Sequence, residues 1–142
     1  MSNSSQRAAV PSNFQITETE FRCDGCGESF IFRSSPDNIL VKFVDGANRS
    51  ECWLPTFEMG GYLDVVEKCA PGFDRREEIT MPIFREFEKN FQTFQNPPDS
   101  GGYWQVACDC ICPKCNGKEL EVLGEQIVSN PELKWMTYKP IP

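Results

Sequence analysis

The 142-residue chain contains no histidine. That absence removes Ser-His-Asp and Cys-His nucleophilic catalysis, HExxH metalloprotease chemistry and the zinc deaminase pattern, each of which needs an imidazole as base or ligand. It also restricts any zinc site to cysteines, alone or with a carboxylate. Positive charge is scarce too, with 14 Lys and Arg against 21 Asp and Glu, a net charge of −7 and a pI near 4.6. Phosphate backbones are gripped by clustered Lys and Arg, so this balance argues against a nucleic-acid surface and suits a basic protein partner. No apolar run approaches the ~20 residues of a membrane-spanning helix, and the polar start Met1-Ser2-Asn3-Ser4-Ser5-Gln6-Arg7 leads into no apolar h-region.

Apolar residues are not scarce. They make up 39% of the chain, and 11 of the residues are Phe, a composition too apolar for disorder and sufficient for one domain with a modest core. Eight cysteines are many for this length. With no leader in view the chain reads as cytoplasmic, where thiols stay reduced and CxxC pairs are metal sites; export by another route would instead allow four disulfides.

The informative cysteines are Cys23-Asp24-Gly25-Cys26-Gly27 and Cys112-Pro113-Lys114-Cys115-Asn116-Gly117. Two cysteines three apart can aim both sulfurs at one ion when the chain folds back after them, and a nearby glycine permits that reversal because it tolerates positive φ. Two such turns face to face supply four thiolates, a tetrahedral set suited to structural Zn²⁺. We therefore expect one site at Cys23, Cys26, Cys112 and Cys115. The 85 residues between Cys26 and Cys112 are no obstacle, because loop-closure entropy grows only with the logarithm of length.

Strand, CxxC turn, strand is the form of a knuckle on a β-hairpin, and here the sequence resembles the zinc ribbon fold group. The resemblance covers about 35 residues and implies a fold, not an activity. The knuckles also resemble those of rubredoxins, which would make the metal iron and the role electron transfer. Cys112-Pro113-Lys114-Cys115 is similar to the CPxC of glutaredoxins, but that motif opens a helix, whereas here a strand pattern follows. Alternation along an extended strand would set Cys108, Cys110 and Cys112 on one face, leaving open an exchange of one ligand pair. Cys52, Cys69, Cys108 and Cys110 otherwise read as small buried apolar residues, since no pair among them has CxxC spacing.

Local patterns place the rest. Residues 1–13 read as a disordered tail and 14–142 as a single zinc-stapled domain with an insertion over about 34–103. Short strands are expected at Phe14–Glu18 and Ser29–Arg33. Ile39–Val44 and Ser50–Leu54 would pair through the turn at Asp45-Gly46-Ala47-Asn48. Leu63, Val66 and Ala70 share a helical face that ends at Pro71-Gly72. Thr80 reads as the N-cap of a second helix, with Pro82 in its first turn and a stripe of Phe84, Phe87, Phe91 and Phe94, which would pack on residues 39–44 and on Trp53. Tyr103–Cys110 would deliver the second CxxC as a strand, and Lys118–Leu123 would leave as its partner. Trp135, Met136 and Tyr138 look ready to dock or to form an exposed patch. The expected class is α+β: split zinc-ribbon-like β-hairpins with an inserted β-hairpin and two helices packed on an antiparallel sheet.

Most of the acidity lies in the insertion, where twelve Asp and Glu against seven Lys and Arg between Ser35 and Ala107 leave −5. A small, acidic, metal-stapled chain fits a non-enzymatic protein-binding module, for instance an inhibitor, immunity protein or antitoxin that covers the basic active site of its target. Asp74, Glu77, Glu78, Glu86 and Glu88 are the candidate contact residues, against the plainer reading of a solvated helix face. Nucleic-acid or transcription-associated binding is the alternative, through Arg22, Arg33, Lys114 and Lys118 with Tyr103 and Trp104 stacking on bases. The carboxylate pairs Glu18/Glu20 and Glu77/Glu78 carry no mark of catalysis, and four cysteines would close the coordination shell that a catalytic zinc keeps open.

Overall fold

A computed structural model describes residues 5–36, 38–45, 50–107 and 110–142. The elements, in order, are β1 (Gln15–Cys23), β2 (Ser29–Ser34), β3 (Leu40–Val44), β4 (Glu51–Pro55), α1 (Tyr62–Cys69), α2 (Met81–Phe91), β5 (Gln105–Val106) and β6 (Leu120–Ser129). They form two antiparallel three-stranded sheets, ordered β2-β1-β6 and β4-β3-β5, and two helices. The mixed class expected from the sequence is therefore present. We call β2-β1-β6 the cysteine sheet and β4-β3-β5 the inner sheet.

The inner sheet carries the core because β3 and β4 are apolar on both faces. On one face Phe43, Cys52 and Leu54 meet Val65, Val66, Phe87 and Phe91 of the helices. The stripe on α2 is thus core, and Phe87 stacks on Phe91 at 5.3 Å between ring centroids while Phe91 reaches Phe43 at 6.2 Å. Phe94 joins this core from beyond the last turn of α2. Trp53 does not meet the stripe as expected. Strand alternation turns it to the opposite face, where it packs with Phe14, Ile16 and Leu40 in a second cluster that Trp135 also covers. Thr80 stands at the N-cap of α2 and Pro82 in its first turn, although the Thr80 side chain makes no capping hydrogen bond.

Both ends of the described chain are sewn onto this framework. The Trp53 backbone donates to Lys134 O at 2.9 Å and accepts from Met136 N at 2.8 Å, so the expected docking of 135–138 takes the form of an added strand-like bridge on β4. Tyr138 donates its hydroxyl to Gly60 O at 2.7 Å. Fraying, expected over 1–13, does not describe the stretch from Gln6 to Ala8. Gln6 exchanges two backbone hydrogen bonds with Tyr138, and Ala8 is buried. A backbone partner and a small apolar side chain suffice to fix a segment whose composition alone suggests a loose end.

Two other expectations change. The strand foreseen for Tyr103–Cys110 shrinks to Gln105–Val106, which pairs with β3 rather than with the strand after the second knuckle. Trp104 instead spends its backbone N–H on the Gln95 side chain, at 2.7 Å. The strand foreseen at Lys118–Leu123 becomes the ten-residue β6, whose nine-residue pairing with β1 is much longer than any the 103–110 stretch offers. Cys108 and Asp109, Gly46 to Asn48 of the expected turn and Arg49 after it lie outside the described residues.

Candidate metal centre

Each pair of cysteines sits where a strand of the cysteine sheet begins or ends. Cys23 closes β1 and pairs in register with Leu120 at the start of β6. Cys26 lies in the turn to β2, and Cys112 and Cys115 occupy the loop just before β6. The β1–β6 ladder therefore fixes the separation of the two turns, and Asp24 N adds a 3.0 Å bond to Glu119 O beyond it.

The two turns have the same local hydrogen bonds. In the first, Gly27 N donates to Cys23 O at 2.8 Å and Cys23 N to Glu28 O at 2.9 Å. In the second, Asn116 N donates to Cys112 O at 2.8 Å and Cys112 N to Gly117 O at 2.9 Å. The residue after the second cysteine is left-handed in both, with φ of 77° at Gly27 and 63° at Asn116. Gly117, the glycine expected to permit the second reversal, does not make it. Asn116 does, and Asn is among the few residues with a side chain that enter this region readily. Gly117 serves the site in another way, because a Cβ there would lie 3.2 Å from both Cys115 Sγ and Cys23 Sγ. The glycine lets backbone come close to the sulfurs.

The four expected ligands come together. Cys23, Cys26, Cys112 and Cys115 have their Sγ atoms within 4.8 Å of one another. Across the turns, Cys23 and Cys115 are 3.5 Å apart and Cys26 and Cys112 3.6 Å. Four sulfurs at about 2.3 Å from a tetrahedral ion would be about 3.8 Å from each other, so the set is close to the required size. Cys23 and Cys112 are buried, while Cys26 and Cys115 face solvent. This cluster could hold a metal ion.

Protonation follows from the crowding. Burial resists ionisation of Cys112, but the N–H groups of Cys115 and Lys114 and the neighbouring thiols outweigh it and bring its pKa down to about 7. Cys115 receives help from the Gly117 N–H, yet the sulfurs of Cys23 and Cys26 push its thiol up to about 12. Cys112 thus ionises far more readily than Cys115, and a cation among the sulfurs would favour the thiolate of each. Lys114 of one turn also pairs with Glu28 of the other at 3.6 Å, a cross-turn contact the sequence did not disclose.

The remaining candidates separate. Cys52 and Cys69 are buried, and burial raises their thiols to about 12 and about 11, as befits small apolar residues. Cys110 is half-buried, and burial pushes its thiol up against the opposing pull of Lys42. The foreseen alternation of Cys108, Cys110 and Cys112 cannot be followed through Cys108, and neither Cys110 nor Cys112 lies in a strand. Among the acidic candidates, Glu77, Glu78 and Glu86 are exposed. Asp74 is tied to Arg76 at 2.7 Å, and partly buried Glu88 has its carboxyl pushed up by burial. Trp104 is buried with its Nε1 donated to Asn96 O at 3.1 Å.

No known family, curated protein or solved structure matches the chain. Among the described residues no helix is long and apolar enough to cross a membrane.

Proposed function

We propose that the chain is a zinc-stapled protein-binding module without catalytic activity. Zn²⁺ at Cys23, Cys26, Cys112 and Cys115 would be structural, in a zinc-ribbon-like arrangement, in a cytoplasmic protein that docks on a basic partner as an inhibitor or immunity protein does. The observation that carries the metal part is the convergence of four Sγ atoms from two turns 85 residues apart. A shell of four thiolates has no open position for substrate, which supports a structural role. The net charge of −7 supports the basic partner. The nucleic-acid alternative is weakened by the burial of Trp104, one of its two stacking candidates.

Metal analysis of purified protein tests the staple. Stoichiometric zinc is expected in the wild type and in Cys108→Ser, and its loss in Cys112→Ser. Zinc retained by Cys112→Ser and lost by Cys108→Ser would overturn the ligand set. A visible thiolate-to-iron absorption with iron in place of zinc would replace the role by electron transfer.

A further inference from the structure

The cysteine sheet has two edges, and they are treated differently. At β2 the inner sheet lies alongside: Lys42 Nζ donates to Arg33 O at 2.8 Å and stands 3.8 Å from the centroid of the Phe32 ring. At β6, among the described residues, no second strand lies alongside. Among those residues β6 pairs with β1 alone, so the outer row of backbone N–H and C=O groups on this ten-residue strand has no strand partner. Glu121 to Ile127 are all exposed, and Val122, Leu123 and Ile127 are 59%, 42% and 61% exposed. Proteins usually shorten, cover or charge such an edge because it templates pairing with another chain.

The register shows what would fit. Val122 pairs with Phe21, Glu125 with Thr19 and Ile127 with Thr17, which sets Val122, Glu125 and Ile127 on one face of the sheet. Glu121, Gly124 and Gln126 share the other face with Glu18, Glu20 and Arg22, and Arg22 is ion-paired with Glu121. β6 holds two carboxylates and no Lys or Arg. Arg22 of β1 already answers Glu121, whereas Glu125, on the other face, has the Thr19 hydroxyl as its partner; pairing with a second copy would add another Glu125 to the seam, which like-charge repulsion opposes. A strand alternating apolar and basic residues meets the backbone row, the apolar side chains and the charge together.

We propose that β6 is a docking edge that a basic, extended segment of a partner protein joins as a fourth strand. The proposal rests on the basic-partner reading and places it on the cysteine sheet instead of on the acidic residues 74–88.

The probe is a blocked ten-residue peptide alternating Lys and Val, used with the zinc-loaded full chain. Its controls are the Glu–Val counterpart and a Lys–Val peptide methylated on alternate amides. Fluorescence anisotropy and amide exchange are read together. The expected result is binding of the Lys–Val peptide with new protection confined to residues 120–129. Affinity should fall about tenfold or more in Ile127→Lys and on N-methylation, because both act at the added strand while methylation keeps the charge. Equal binding of the methylated peptide, or protection over 74–88, would overturn the edge assignment while leaving a basic partner in place. Binding of neither Lys–Val peptide, or a wild-type dimer with β6 protected, would overturn the edge assignment; the basic-partner reading would fall separately if no basic protein protected any surface of the zinc-loaded chain.

Discussion

The two sheets are held together by different means. The inner sheet has helices on one face and the Trp53 cluster on the other, and nearly all of the large buried side chains belong to it or pack on it. The cysteine sheet has hairpin and ladder hydrogen bonds in plenty but little apolar burial: Ile16, Thr19 and Cys23 are its buried residues, and β6 is exposed nearly throughout. Backbone hydrogen bonds add little net stability in water, since the unfolded chain makes them with solvent. A sheet of that kind needs another source of stability, and four thiolates at its end are placed to supply one. Stability in one small chain can thus come from packing in one half and from coordination in the other.

On the zinc-staple proposal, the largest effect should follow from removing the ion. Chelation forfeits binding free energy on the order of 10 kcal/mol, judged from small zinc domains. Amide exchange of β1 and β6 should accelerate strongly while β3, β4 and α1 keep most of their protection. Uniform loss across both sheets would break the comparison, since it would mean that packing in the inner sheet also depends on the ion.

The converse test is a core truncation. Phe87 is 1% exposed and touches Tyr62, Phe84 and Phe91. Phe87→Ala should cost about 3–5 kcal/mol, lowering the thermal midpoint while the purified protein still carries stoichiometric zinc. Loss of zinc in Phe87→Ala would show that the two halves do not hold independently.

The smallest effect concerns the acidic surface of the packed half. Arg75 bonds to Asp64 and Glu67 on successive turns of α1. Hydrogen bonding from Arg75, with the Gly60 N–H, holds the Asp64 carboxyl below its ordinary 3.8 despite some burial. A carboxyl depressed in the folded state contributes its stability above the unfolded value and loses it as pH falls through the folded value. Asp64→Asn should therefore lower the melting temperature at pH 7 by the equivalent of about 1 kcal/mol at most, given its partial exposure. The difference should narrow as pH falls below the ordinary 3.8 and close once the carboxyl is protonated in both states. A gap that did not narrow as pH fell past that ordinary value would assign the effect to the side chain's shape and not to its charge.

Much of this was legible in local spacing. The four clustered cysteines stood out because CxxC is a short-range pattern that aims two sulfurs at a point. The strands at 29–34, 40–44 and 51–55 and the two helices likewise declared themselves by alternation, by the Phe stripe and by Pro82. What could not be read were choices between partners. Trp53 could face either side of β4, and only the tertiary course of residues 130–136 decides which. Lys118–Leu123 had a strand pattern but nothing local to say that β1, almost a hundred residues earlier, would outcompete the segment before the knuckle. Gln6 and Ala8 were hidden by polar neighbours. Asn116 was the exception, a local signal missed because a glycine stood next to it.

Four of the bonds between distant residues nest, while those of Trp53 with Lys134 and Met136 and of Tyr138 with Gly60 cross them. Gln6 meets Tyr138, Phe14 meets Asn130 across 116 positions, Cys23 meets Cys115 across 92, and within these β3 meets β5. Each closure encloses the next like brackets in an expression. A chain emerging from the ribosome therefore makes the inner pair first and the outermost last, and β1 waits beside β2 with two unpaired thiols until most of the polypeptide has been synthesised. Such long-range closure is slow by the rule that relates contact order to folding speed. The rate of appearance of zinc-loaded protein during synthesis would then be set by the arrival of Cys112 and Cys115, and not by the supply of the ion.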